Sequence, residues 1–147
     1  MAEATLSELL TAIRDQLEDQ LDFDGLHVEA GLFRSAEMPA INIYPSSRAL
    51  TQDLAAFGDL YGGWPIAIRV AVSPADITSG EELLWSFMDD TGDLSIIAAL
   101  DYDHTLGGIA DDLAWGDWAG YQDFSPPDEG GRFVGSTLPI LVAKARS

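Results

Sequence analysis

The chain contains no cysteine, which excludes a disulfide framework and thiolate metal sites and leaves packing and association as its sources of stability. Basic residues are scarce, with 7 Lys and Arg against 25 Asp and Glu for a formal net charge of −18. The few that exist, Arg14, Arg34, Arg48, Arg69, Arg132, Lys144 and Arg146, are scattered along the chain. Such a chain repels the phosphate backbone, so a conventional nucleic-acid binder with a basic stripe is excluded. The acidity itself reads either as solubility or as part of a function. Long hydrophobic runs are also missing. No stretch approaches 18 apolar residues, and MAEATLSELL has no cationic region followed by an apolar one. The expectation is a soluble protein made and assembled in a cytoplasm, with no membrane partner.

What is present is enough for a core. At 147 residues, 47% hydrophobic and 22% charged, the chain reads as one domain spanning 1–147, far from the composition of disordered segments. Leu6, Leu9, Leu10, Ile13, Leu17 and Leu21 recur at helical spacing, and Thr5 with Glu8 supplies a capping box. Asp22 to Gly25 ends this helix, and His27 to Phe33 reads as a short strand. Pro39 and Pro45 bracket the extended run AINIY. After Pro65, Ile66, Ile68, Val70 and Val72 alternate with Ala67, Arg69 and Ala71, the clearest strand in the chain. Residues 46–64 between these strands carry Gly58, Gly62 and Gly63 and are too long for a hairpin turn. Loops of that length are commonly functional.

Thr78, Ser79 and Glu81 start a second helix with Leu83, Leu84, Phe87 and Met88 as its apolar stripe, closed by Gly92. A short helix over Leu94 to Leu100 follows, with Asp93 as its cap and Gly107-Gly108 as the turn after it. Three β-like runs remain: Ile109 to Trp115, Trp118 to Phe124 and Arg132 to Ala143. Pro139 argues for an edge or bulged position in the last of them. Strands and helices that do not alternate one by one predict an α+β fold with a mostly antiparallel sheet, flanked by the N-terminal helix and the central helix pair.

Motifs for chemistry are sparse. Asp101, Asp103 and His104, with Asp111-Asp112 and Asp89-Asp90 nearby, have the donor types of a hard-cation site. In so acidic a chain such clusters arise by chance, and a helix end followed by a polar turn is the favoured account of them. His27 and His104 match no metalloprotease spacing, no G-x-S-x-G surrounds a serine, and GDLYGGW lacks the Lys-Ser/Thr ending of a phosphate loop. The cluster Trp115, Trp118 and Tyr121 has two readings, core packing and a subunit interface, since Trp and Tyr are enriched where protein surfaces meet. No catalytic residue, metal ligand or cofactor site emerges.

In order along the chain stand PAINIYP at 39–45, DLAAFGDLYGGWP at 53–65, IAIRVAVSPAD at 66–76, SGEELLWSFMDDTGDLSIIAALDYDHTLGG at 79–108 and STLPILVAKA at 136–145. Together with the N-terminal helix, this series resembles the tail terminator, or tail completion, proteins of long-tailed siphophages that infect actinobacteria. LLxxxMDD, then SIxxAL, then TLGG is the most specific stretch. The resemblance implies a non-enzymatic virion protein at the neck end of the tail. Six copies would form a ring that caps the tail tube, stops its polymerisation and presents a surface to the neck. The implied partners are the homo-hexamer, the tail tube protein and a neck or connector protein, with genomic DNA passing through the channel unbound.

In that setting Arg48, Leu54, Phe57, Leu60, Tyr61 and Trp64 of the long loop, with Trp115 and Trp118, are the candidate subunit or tube contacts, because such a patch is costly to leave exposed on a monomer. Asp53, Asp59 and Asp103 are the candidates to face the lumen. Three other readings stay open: another head-to-tail ring such as a stopper or neck completion protein, a metal-dependent hydrolase using Asp101, Asp103 and His104, and an acidic DNA mimic.

Overall fold

The computed structural model describes residues 5–23, 26–31, 39–46, 64–72, 77–120, 122–124 and 133–144. Helix α1 (Leu6–Gln20) begins at the capping box read from the sequence: Glu8 N donates to Thr5 Oγ1 at 3.1 Å while the Glu8 carboxylate reaches back to Thr5 N. Leu9, Ile13 and Leu17 recur every fourth residue and are fully buried, with Leu21 just past the helix end. Helix α2 (Ile77–Met88) buries Leu84 and Phe87, and Leu83 and Met88 pack at their margin. Helix α3 is shorter than the sequence suggests, Ile96–Asp101, and its cap is Ser95 rather than Asp93. The Ser95 hydroxyl accepts from Ala98 N at 3.0 Å, the short geometry an N-cap requires, whereas Asp93 lies two residues too early.

Among the described residues six strands form one sheet: β1 (His27–Ala30), β2 (Ala40–Pro45), β3 (Trp64–Val72), β4 (Ala110–Trp115), β5 (Gln122–Phe124) and β6 (Phe133–Lys144). The order is β1-β2-β3-β6-β4, with β5 also on β6. All pairings are antiparallel except β1 with β2. The fold is thus α+β with a mostly antiparallel sheet, an N-terminal helix and a central helix pair, as expected. Strand β1 stops at Ala30, where Gly31 takes φ 114°; Phe33 lies outside the described residues.

The helices share one face of the sheet. Val28, Ile41, Ile43, Ile66, Ile68, Val70, Val72, Leu113, Leu138, Ile140 and Val142 point into that core with the helix stripes. On the opposite face Asn42, Ala67, Ala71 and Leu141 are buried, each no more than 1% exposed, while Tyr44, Pro65, Arg69 and Pro139 are half-buried. A polar row crosses this second face, Glu29 beside Asn42 beside Arg69 beside Thr137 on neighbouring strands. The Arg69 guanidinium lies 5.2 Å from the centre of the Tyr44 ring, a cation–π contact one position along the same face.

Pro139 corrects the sequence expectation, because β6 is the central spine of the sheet and not an edge. It pairs with Ala67 of β3, and its carbonyl accepts from Gly116 N at 2.9 Å on the other side. The N–H and C=O of a strand residue point the same way, so the hydrogen that proline lacks would also have faced residues 116–120. There the regular ladder of β4 has ended. Only Gly116 and Ala119 continue it, the latter donating to Thr137 O at 3.0 Å, before β5 begins. The proline therefore costs no bond to β3, and the expected strand Trp118 to Phe124 reduces to Gln122–Phe124.

Candidate functional site

The densest set of polar side-chain contacts among the described residues lies in the turn between α3 and β4. Asp103 organises it. One carboxylate oxygen accepts from Thr105 N at 2.9 Å and Thr105 Oγ1 at 2.7 Å, and the other accepts from Gly107 N at 2.9 Å. The Thr105 hydroxyl, followed by the Gly107 and Thr105 amides, holds its carboxyl below the usual aspartate range. Leu106 adopts φ 51° in this turn, followed by Gly107 at 75° and Gly108 at 95°. A left-handed leucine costs about 1–2 kcal/mol, and here the conformation carries its side chain to 4% exposure in the core, where burial offsets that cost.

His104 sits between two acids. Its Nε2 is 2.8 Å from Asp101 Oδ1 at the end of α3, and its Nδ1 is 3.1 Å from Asp112 Oδ1 in β4. The ring also meets Trp115 edge-on, with centroids 5.5 Å apart. The Asp101 bond raises the imidazole pKa, partial burial opposes it, and Asp112 adds to the rise. Asp112 Oδ1 further accepts from Leu113 N at 2.8 Å, beside the irregularity between Ala110 and Asp112.

Gln16 of α1 closes the site from below. Its Nε2 donates to the carbonyls of Ala99 at 2.8 Å, Asp103 at 3.2 Å and Leu100 at 3.4 Å, satisfying acceptors that a helix C-terminus leaves without intrahelical partners. Sequence reading missed Gln16. The only signal was a polar residue beside the stripe formed by Ile13 and Leu17.

These contacts fix what the cluster can do. Both ring nitrogens of His104 face carboxylates, and both oxygens of Asp103 accept from the turn, so each group already has protein partners. Among the described residues no three His, Cys, Asp or Glu side chains are grouped so as to hold a metal ion. The arrangement favours the protonated imidazole and ties the end of α3 to β4.

Of the sequence-predicted contact residues, Trp64 opens β3, Trp115 ends β4 and Trp118 follows it. All three are partly buried against the helix-side core. Arg48, Leu54, Phe57, Leu60 and Tyr61, and the lumen candidates Asp53 and Asp59, lie outside the described residues. Asp103, the third lumen candidate, has its carboxylate bonded into the turn.

The exposed surface of the helices and their ends is acidic. Glu8, Asp15, Glu18, Asp19, Asp22, Glu82, Asp89, Asp90, Asp93 and Asp101 are exposed, and Arg14 pairs with Asp15 at 3.0 Å. The exposed large hydrophobic side chains described are Trp85, at 50%, and Tyr102, at 68%. No helix described is long and apolar enough to cross a membrane. No protein-family model matches the chain, and no curated protein matches it in sequence.

Proposed function

We propose that this chain is a non-enzymatic structural protein of a long-tailed phage, a tail terminator whose six copies form a ring on the end of the tail tube. The observation that carries this reading is the ordered series of segments from PAINIYP to STLPILVAKA. The same segments supply β2, β3, α2, α3, the Gly107-Gly108 turn and β6, the parts around which the domain is organised. The reading gains support from the way His104 is bonded to Asp101 and Asp112 and Asp103 to Thr105 and Gly107, which makes them part of the architecture.

The ring reading also gives the acidity a use. A cationic wall would hold DNA by counterion release, whereas an acidic wall leaves the duplex hydrated and mobile. A heterologous contact closed by rotation joins the six copies, and residues 46–64 with their apolar side chains are the element proposed to make it. The like charges oppose closure, so assembly is expected to improve as salt rises to physiological levels, where screening acts over roughly 8 Å.

The test combines native mass and negative-stain images of the purified protein with tails from a phage lacking it. Six-fold rings and overlong tubes are expected. Tubes of normal length that fail to join heads would assign the chain to another neck ring instead. A protein that stays monomeric and does not bind tubes would overturn the reading.

A further inference from the structure

The contacts of His104 demand more than a structural turn. An ionised carboxylate only accepts hydrogen bonds, and a neutral imidazole has a single N–H. Acids on both nitrogens, at 2.8 and 3.1 Å, can both be bonded only when the ring carries two protons. The two acids belong to different elements, Asp101 to the end of α3 and Asp112 to β4, the last strand on its side of the sheet. Near Asp112 the ladder to β6 shifts register, between Ala110 and Asp112, so the backbone hydrogen bonding that secures the strand is weakest where the imidazole grips it.

We propose that Asp101, His104 and Asp112 form a proton-dependent clasp: the doubly protonated ring pins the start of edge strand β4 to the end of α3, and loss of one proton releases it. The charged groups facing the ring among the described side chains are Asp101 from α3, Asp103 from the turn and Asp112 from β4. Trp115 of β4 contributes an uncharged ring edge, and Gln16 of α1 reaches the same turn through the Asp103 carbonyl. All three charged neighbours are negative, and a neutral ring keeps one N–H for two acids, so deprotonation removes the charge attraction and at least one of the two hydrogen bonds.

The sign follows from linkage. Both acids raise the imidazole pKa above its ordinary value of 6.5. The clasp therefore contributes its full stabilisation below that value and loses it as pH rises through the higher, folded one. The device is independent of the ring proposal and holds for the isolated chain.

The test is an NMR titration of the imidazole nitrogens in the intact protein, with amide exchange at residues 110–113 followed on the same samples. Below its midpoint both nitrogens of His104 should be protonated. Its midpoint should lie above the ordinary value, and Asp101→Asn and Asp112→Asn should each lower it. Protection at 110–113, that is exchange corrected for its intrinsic rise with pH, should fall severalfold as the pH passes the wild-type midpoint, and in His104→Ala it should be low throughout without that step. A midpoint at or below the ordinary value, a midpoint unmoved by either Asn variant, or protection at 110–113 that ignores the titration would overturn the proposal.

Discussion

Replacing Gln16 separates a packing role from a donor role at the base of the α3–β4 turn. Its two amide hydrogens serve three carbonyls, of which Ala99 at 2.8 Å and Asp103 at 3.2 Å are within good bonding distance. Each net hydrogen bond is worth about 1 kcal/mol, and a partly buried carbonyl left without a donor costs about 1–3 kcal/mol. Gln16→Leu keeps most of the volume and removes both donors, so it should cost about 2 kcal/mol. Gln16→Glu keeps the shape but offers a charged acceptor to the carbonyl end of α3, which adds about 0.3–1 kcal/mol of unfavourable interaction with that helix end. Urea denaturation at pH 7 reads this directly. With m near 2 kcal/mol/M, the Leu variant should lose about 1 M in midpoint at unchanged slope, and the Glu variant more. If Gln16→Glu proved as stable as wild type, or more stable than Gln16→Leu, the donor account of this residue would be wrong.

Two further outcomes test other parts of the structure. Phe87 is fully buried and meets Phe23 edge-on with centroids 6.4 Å apart, so Phe87→Ala should cost about 3–5 kcal/mol; a thermal unfolding shift of only a degree or two would mean that α2 is not seated as described. Asp103 has a carboxyl held below the ordinary aspartate value, so its contribution to stability is present above that value and lost as pH falls through the folded one. Asp103→Asn should therefore be less stable than wild type at neutral pH, with the gap closing in acid, and a gap constant with pH would refute the charged-cap role.

The sequence disclosed the elements whose pattern is local. The capping box Thr5/Glu8, the alternation from Ile66 to Val72 and the stripe from Leu83 to Met88 each fix structure within a few residues, and each appears where periodicity places it. Pro139 was misjudged because its consequence depends on the neighbour. A missing N–H is costly only where a partner carbonyl waits for it, and the turn residues after β4 leave that place irregular. Likewise Asp93 and Ser95 are both competent caps by composition. The choice fell to Ser95, whose hydroxyl accepts from Ala98 N and also donates to the carbonyl of Asp89, a contact that exists only once the preceding turn has folded.

The site was half legible for the same reason. Asp101, Asp103 and His104 stood out as residues able to hold a cation, and their clustering in the chain is real. What the chain could not display is direction: Asp103 turns inward on Thr105 and Gly107, and His104 bridges outward to Asp112, eight residues on and in another element. A donor set read from spacing assumes that the groups converge on a shared point. Here each carboxylate already meets a hydrogen of the protein itself, and that difference turns a would-be ligand set into a clasp. Gln16 makes the point from the other side, since it reaches carbonyls more than 80 residues away, and the backbone groups it satisfies carry no side-chain signature in the sequence at all.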